Sequence, residues 1–441
     1  MKRLLSLLLC VVLALFCATT AQAAGVSITL TASEYALHYA FDAGAQDPFV
    51  ILEYTTPAEK GWMMLYSEDG HFEGDVSLAY SGAGGKTSVA LTSARTTGSI
   101  GKASTTLPKA ADYQKPTGKS NVKVMDFVLT ETPEGFHYAF NAIGTDYMLL
   151  YWRSKEQTVT QPVYPDENGH YEGDVISNLT FARTQFTVQV KSGSGSMKKE
   201  ATVRKGYQAP EAPQRQEGRL SGVTVCIDAG HQENGRFVKE PIGPGLSGST
   251  SGKGGMAQGT KTNRRESIVC LEIGMLLRDE LLRQGANVIM TREDQTTFHT
   301  NIERCEIAEA GGAQIMLRLH CNNSSNRSKR GIQVYGPLNS DYAKAVADAD
   351  TYREMGQKLL DAMKTRVGMT LANSTGMVRL NDNYVGNNWA KMMCFLVEMG
   401  YLSNPAEEYL LVTPVYQQWL AEGMADGVYE IAVARGWVQA Q

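Results

Sequence analysis

Four residues of this 441-residue chain stand where an acid, a base or a metal ligand would be of use. His231 follows Asp228-Ala229-Gly230 just past the apolar run Val223–Ile227, and His320 follows Leu319 at the end of a second apolar run. Glu398 follows Phe395-Leu396-Val397 as a third run ends. Such runs are buried-strand signals, and open α/β sheets build their sites at the carboxyl ends of strands. Glu266 opens a helical pattern, three residues before Val269 and seven before Ile273, which puts it on the inward face. An unpaired carboxylate there would cost several kcal/mol, so it needs a cation or several donors. Two readings stand side by side. One is a first-turn glutamate favoured by the helix dipole, worth roughly 0.3–1 kcal/mol. The other, given two histidines elsewhere in the same region, is a His2Glu zinc site, because three N/O ligands plus water form a catalytic set. HExxH does not occur, so a helix-borne protease site of that type is not available.

The elements that must position these residues alternate in type after Arg219. Strands are expected at Val223–Ile227, Asn287–Thr291, Ala313–Leu319, Gly331–Tyr335 and Met393–Val397. Helices are expected at Arg265–Arg283, Ile302–Ala310, Tyr342–Val367 and Val415–Ala434. In the first helix Val269, Ile273, Leu276, Leu277 and Leu281 keep a helical rhythm. This alternation predicts an α/β domain over 220–441, with a largely parallel or mixed sheet flanked by helices.

A long segment, Glu233 to Arg265, separates His231 from Glu266 and holds seven glycines between Pro241 and Gly259. It reads as a disordered linker or as a lid or substrate-groove wall beside the site. A phosphate-loop reading through Gly252-Lys253 fails, because Ser247 stands where the first glycine belongs and Gly254 where Ser or Thr is required. Asn404-Pro405 with Glu407 and Glu408 reads as a helix start. His299 reads as an exposed loop histidine and Arg304 as an ion-pair partner. Trp389 is a candidate for the groove wall or for plain packing.

The N-terminal half is duplicated. His38-Tyr39-Ala40-Phe41 recurs as His137-Tyr138-Ala139-Phe140, and Gly70-His71-Phe72-Glu73-Gly74-Asp75-Val76 recurs as Gly169-His170-Tyr171-Glu172-Gly173-Asp174-Val175, both at an offset of 99 residues. Ile28 and Leu30, then Leu37, Tyr39 and Phe41, alternate with small or polar residues as half-buried strands require. Further strands are expected at Phe49–Tyr54, Trp62–Tyr66 and Ser88–Thr92. Two all-β repeats, 24–107 and 121–206, are therefore expected, each a β-sandwich of the immunoglobulin-like kind. Shared ancestry explains the paired histidines more simply than metal binding does. A spacer or wall-contact role is favoured over a carbohydrate site. Pro108 to Ser120 and the polar stretch 207–219 read as linkers.

Lys+Arg total 42 and Asp+Glu 46, a formal charge of −4, so nothing calls for a nucleic-acid partner. Hydrophobic residues at 43% and charged residues at 20% exclude wholesale disorder. Lys2 and Arg3, the apolar run Leu4 to Cys17 and Ala21-Gln22-Ala23 form a secretory signal pattern, residues 1–23. That run is short for a membrane helix, which needs about 20 residues. With no second span following, the mature chain is expected without a transmembrane segment, exported and monomeric. Of seven cysteines, Cys226, Cys270, Cys305, Cys321 and Cys394 remain after the signal. An odd number mostly in apolar runs reads as buried thiols, with one disulfide left open and no cysteine zinc cluster.

Four ordered motifs carry a resemblance. Val225-Cys226-Ile227-Asp228-Ala229-Gly230-His231, Arg265-Glu266, Leu317-Arg318-Leu319-His320-Cys321-Asn322 and Leu396-Val397-Glu398-Met399-Gly400-Tyr401-Leu402-Ser403-Asn404 together resemble the zinc-dependent N-acetylmuramoyl-L-alanine amidases, peptidoglycan hydrolases, over about residues 220–436. The resemblance implies zinc (Zn2+) on His231, Glu266 and His320, Glu398 as the catalytic glutamate, and peptidoglycan as substrate at the cell wall. Gln232, where glycine is commoner, and Cys321, where alanine is usual, depart from the pattern without removing a ligand. A zinc peptidase on stem peptides and a non-catalytic wall-binding protein are the alternatives.

Overall fold

The computed structural model describes residues 19–21, 26–33, 36–57, 60–78, 84–96, 98–109, 122–132, 135–143, 148–153, 158–163, 165–166, 168–176, 184–191, 198–205, 210–232, 238–250, 255–262, 264–368 and 378–440. The chain divides into an N-terminal unit, Met1–Ile176 with Gln185–Val203, and a C-terminal unit, Arg204–Gln441 with Ser177–Thr184. The expected signal segment lies outside the described residues except for Thr19–Ala21, which pairs antiparallel with Ile28–Leu30. Most of the linker between the repeats, from residue 110, also lies outside them.

Each repeat is built from two sheets. In the first, Thr19–Ala21, Ile28–Ala32, Ala36–Asp42 and His71–Ser77 form one, while Lys60–Tyr66, Phe49–Thr55, Gly85–Ser93 and Ser99–Leu107 form the other. A single core draws Ile28, Leu30, Leu37 and Phe41 from the first sheet and Val50, Leu52, Val89 and Leu91 from the second. The period-two pattern thus encodes two sheets that bury one face each against the other. The second repeat has sheets of three strands (His170–Ile176, Gly135–Ile143, Lys123–Thr132) and four strands (Thr158–Val163, Met148–Arg153, Thr184–Lys191, Lys198–Lys205). The duplication extends to the packing. Phe41 stacks on Phe72 at 4.9 Å and Phe140 on Tyr171 at 4.6 Å. On the outward face each histidine pair is spoken for by acids or an amide. His38 lies against Asp75 and Glu73, His71 against Asp42 and Glu73, His137 against Asp174 and Glu172, and His170 against Asn141 and Glu172.

The C-terminal unit holds a six-stranded sheet of β1 (Thr224–Ala229), β2 (Asn287–Met290), β3 (Ile315–Asn322), β4 (Gln333–Gly336), β5 (Val378–Leu380) and β6 (Met393–Tyr401), in the order β2-β1-β3-β6-β4-β5. The first four in that order are mutually parallel; β4 runs antiparallel to β6 and parallel to β5, so the sheet is mixed. The helices are α1 (Glu266–Arg283), α2 (Asn301–Ala310), α3 (Asp341–Val346), α4 (Ala349–Val367), α5 (Val385–Trp389), α6 (Pro405–Leu411) and α7 (Pro414–Ala434). Successive strand residues face opposite layers. Cys226, Met316 and Cys394 join Cys305 and Ala308 of α2 in one core, while Gly274 of α1 lies against Ile227, Ala229 and Leu319 on the other face.

One expected helix is interrupted. The pattern over Tyr342–Val367 breaks into α3 and α4, because Ala347 is extended (φ −165°, ψ 162°) and the Asp348 side chain caps α4 by accepting from the Thr351 amide. The five cysteines are buried and free. The stretch expected as a linker before Leu220 is anchored from Pro210 onward. The Gln216 amide donates to Leu282 O and Arg215 to Gly285 O, while Arg278 donates to Pro210 O. Arg219 bonds Gln284 and Asp426 and lies 4.5 Å over the Tyr429 ring. A fragment starting at Pro210 should therefore be more stable than one starting at Leu220. The hydrogen bonds lost set the difference at roughly 1–3 kcal/mol in urea unfolding. Equal stabilities would make the segment a passive tether.

Candidate active site

Glu266 begins α1, and its carboxylate is buried at the carboxyl end of β1 and β3. Its Oε1 accepts from the Cys321 amide at 3.0 Å and lies 3.1 Å from His320 Nδ1. Its Oε2 accepts from the Ala257 amide at 2.8 Å and lies 3.1 Å from His231 Nε2. Burial would push the Glu266 pKa up, but hydrogen bonds from His231 and His320 hold it well below the usual carboxylate range. Burial pushes His320 down to about 4, so its imidazole is neutral near pH 7, the form that ligates metals. The two rings are 5.0 Å apart, and one ligand atom from each of His231, Glu266 and His320 lies within 4.8 Å of the others. Among the described residues this is the group that could hold a metal ion. Two imidazoles and a carboxylate suit zinc with one position open, and the buried His320 Nε2 has no hydrogen-bond partner.

His231 sits in left-handed backbone conformation, φ +57°, which costs on the order of 1–3 kcal/mol for a residue with a side chain. The carbonyls around it are clamped. Arg292 donates to Ala229 O at 2.7 Å and Gly230 O at 2.9 Å; Arg304 donates to Ala229 O at 2.8 Å and His231 O at 3.2 Å. A Cβ on Gly230 would meet Leu319 O at 2.5 Å and His320 Cε1 at 2.6 Å, so only glycine fits between the two histidine-bearing strands.

Beneath this turn lies a buried ionic cluster. Asp228 Oδ1 accepts from Thr291 at 2.8 Å and Arg304 at 2.5 Å, and its Oδ2 from Arg318 Nε at 2.9 Å. Burial raises the Asp228 pKa, but the Arg304 and Arg318 charges win and hold it far below the usual range. Gln232, one of the two residues that depart from the resembled pattern, accepts from Arg304 at 2.5 Å.

Glu398 lies across from His320 in the β3–β6 register. Its Oε2 is buried without a hydrogen-bond partner. Burial, then the neighbouring Glu266 charge, raises its pKa well above the usual range. His231, Glu266, His320 and Glu398 line one cavity of about 390 Å³, together with Arg318, Asn301 and Tyr384. Such a site combines a metal-capable trio with a carboxyl group poised to hold and release a proton.

The four residues singled out in the sequence thus come together. His299 and Trp389 do not line the cavity; Trp389 donates to Pro241 O at 3.0 Å and helps hold the glycine-rich segment. Part of that segment forms a turn bridged at Pro241 and Ser249, and Thr250, Gly255, Met256 and Ala257 line the cavity as a wall. Residues 251–254 lie outside the described set. Arg304 is an ion-pair partner, as read. Glu407 and Glu408 do more than start a helix. Glu407 accepts from the amides of Gly331 and Tyr401, and Glu408 from those of Thr260 and Lys261. Asp228 and Arg318 escaped the sequence reading, although an arginine between Leu317 and Leu319 is itself a signal of a buried ion pair.

Residues 225–430 match the family model described as N-acetylmuramoyl-L-alanine amidase. The chain is 26% identical over 231 residues to the germination-specific N-acetylmuramoyl-L-alanine amidase of Bacillus subtilis (strain 168), covering 49% of this chain and 83% of that protein. It is 27% identical over 218 residues to the probable cell wall amidase LytH of Staphylococcus aureus, covering 48% of this chain and 60% of that protein's length. A solved structure, the N-acetylmuramyl-L-alanine amidase Ami1 from Mycobacterium smegmatis, aligns with 49% of this chain and 100% of its own at 18% identity and a TM-score of 0.44.

Replacing Asp228 by Ala would strand two guanidiniums in the interior. The expected loss is roughly 3–5 kcal/mol of unfolding free energy. Because the folded pKa is lowered, the Asp228 contribution is fully present above the unfolded value of about 4 and fades as pH falls below it. Denaturant unfolding of wild type and Asp228→Ala at pH 7 and pH 3 checks both statements; the gap between them should narrow at the lower pH.

Proposed function

We propose, starting from the N-acetylmuramoyl-L-alanine amidase domain that residues 225–430 form, that this chain is an exported, zinc-dependent enzyme. Its reaction is hydrolysis of the amide between N-acetylmuramic acid and L-alanine in peptidoglycan. The observation that carries this reading is the cavity in which His231, Glu266 and His320 group their ligand atoms, lined also by Glu398, whose buried Oε2 has no hydrogen-bond partner. His231, Glu266 and His320 would hold the zinc. Bound there, it supplies Lewis acidity toward the amide carbonyl.

The rest falls to the chain. Ala257 and Cys321 amides fix both oxygens of Glu266, so the carboxylate cannot rotate away from the imidazoles. Glu398 takes a proton from the attacking water and delivers it to the departing alanine nitrogen. Its low-dielectric surroundings suit it to hold that proton between the two transfers. Water adds to the carbonyl carbon, the carbon–nitrogen bond breaks, and a lactyl carboxylate and a free amine leave. In this reading residues 1–23 are the export signal. Residues 24–107 and 121–206 are immunoglobulin-like repeats that space the catalytic region, 220–441, from the wall or touch it, and the enzyme works as a monomer.

Purified protein with zinc should release free L-alanine amino termini from cell-wall sacculi, without new reducing ends, and a chelator should stop the release. New reducing ends alone would identify a glycosidase, and cleavage confined to stem-peptide bonds a peptidase. His231→Ala and His320→Ala are expected to lose both zinc and activity. Glu398→Gln should keep one zinc per chain while turnover falls by about 10²-fold or more. Elemental analysis of the variants separates the roles: a metal-free Glu398→Gln protein would place that residue among the ligands.

A further inference from the structure

Arg318 is an unusual residue to find in the middle of a buried parallel strand. Its side chain is only 4% exposed, yet it lines the cavity that contains the metal-capable trio. Strand alternation puts Arg318 and His320 on the same face of β3, and their register partners Leu396 and Glu398 line the same cavity. Arg318 therefore occupies the row next to the one that carries His320 and Glu398.

The ion pairing is uneven. Arg304 and Arg318 share the single carboxylate of Asp228. Arg304 is saturated: beyond Asp228 it bonds His299 O, Ala229 O, His231 O and Gln232. Arg318 spends Nε on Asp228 and Nη2 on Asn301 Oδ1 at 2.7 Å, and its Nη1 has no hydrogen bond among the described residues. Gly386 leaves room for this group, since a Cβ there would fall 2.3 Å from the guanidinium carbon. A guanidinium held by two bonds, with one amino group left to donate, is a preset anion receptor; the nearby Glu240 carboxylate is already engaged by Asn301 Nδ2 at 2.6 Å and the Ile302 amide at 2.9 Å.

Resting on the amidase reading, we infer that Arg318 is a specificity residue: its Nη1 binds a carboxylate of the stem peptide one residue beyond the L-alanine whose amide is cleaved. The spacing supports this. Neighbouring same-face residues of a strand lie about 6.6 Å apart. The alanine nitrogen and the α-carboxyl carbon of the next residue are separated by five bonds, about 6 Å when extended. One alanine residue spans the distance from the metal-capable row to the arginine row. A carboxylate at that position gains charge-assisted hydrogen bonds that a carboxamide, which also presents N–H donors, cannot match.

The test uses the full-length zinc-loaded protein and two soluble muramoyl peptides, identical except that the second stem residue carries a free α-carboxylate or the corresponding carboxamide. The carboxylate substrate should have a kcat/KM higher by roughly tenfold or more, chiefly through KM. Cleavage of both at equal kcat/KM, or preference for the carboxamide, overturns the inference and leaves the amidase reading standing. Cleavage of neither overturns that reading and the inference with it. Arg318→Lys should keep a reduced preference and Arg318→Gln should lose it. The wild-type comparison decides the matter even if Arg318→Gln fails to fold, because it depends on no variant.

Discussion

The buried carboxylate of Asp228 is the constraint on which the C-terminal unit depends. A carboxylate with no access to water persists only if donors surround it, and here they come from three elements. Thr291 follows β2, Arg304 projects from α2, and Arg318 from β3. Each arginine is also a buried charge that needs the aspartate, so removing any member leaves the others uncompensated. The cluster thereby fixes β1 against β3 and draws α2 onto the sheet. From that fixed point Arg304, helped by Arg292, reaches the carbonyls of the turn that carries His231. The unfavourable left-handed backbone of His231 is affordable because these bonds outweigh it.

The remaining arrangement of the site is built on the same rigid frame. Glu266 does not depend on a side-chain cap; it is held by amides contributed by the glycine-rich segment and by the residue after His320. Glu407 and Glu408 hold other parts of that frame by the same device, a buried carboxylate receiving two backbone amides, and burial raises the pKa of each to about 7. Three carboxylates, Glu266, Glu407 and Glu408, thus tie down backbone amides of loops and strand ends around the site. Glu398 differs from all of them in having an oxygen that nothing satisfies.

Much of this was legible in the sequence, for definable reasons. Apolar runs ending in His231, His320 and Glu398 mark strand ends, and the helical phase of Val269 and Ile273 placed Glu266 inward. Both are local signals. The duplication was visible because two matches share one offset. What could not be read was pairing at a distance. Asp228 meets Arg304 and Arg318 across 76 and 90 residues, and no local periodicity reports that. The division between α3 and α4 also escaped, since Ala347 carries a good helix former's side chain and the cap is supplied by the single carboxylate of Asp348. Pro210 to Arg219 looked like a linker because it has no apolar face; its anchorage is made by backbone hydrogen bonds and two arginines instead.

The cysteines carry a consequence for how the C-terminal unit ages. All five are buried and free, and burial raises every thiol pKa: Cys305 to about 12, Cys270 above its ordinary value, and Cys226, Cys321 and Cys394 well above it. Thiolate is the nucleophile in disulfide exchange, so the folded unit is nearly inert toward oxidants and alkylating agents. Opening of the core restores ordinary thiol reactivity at several positions at once. Unfolding is therefore recorded covalently, and a molecule that opens in an oxidising medium is in danger of being trapped by mispaired sulfurs before it can close. Durability in such a medium is governed by how rarely the core opens, a kinetic quantity, rather than by any crosslink.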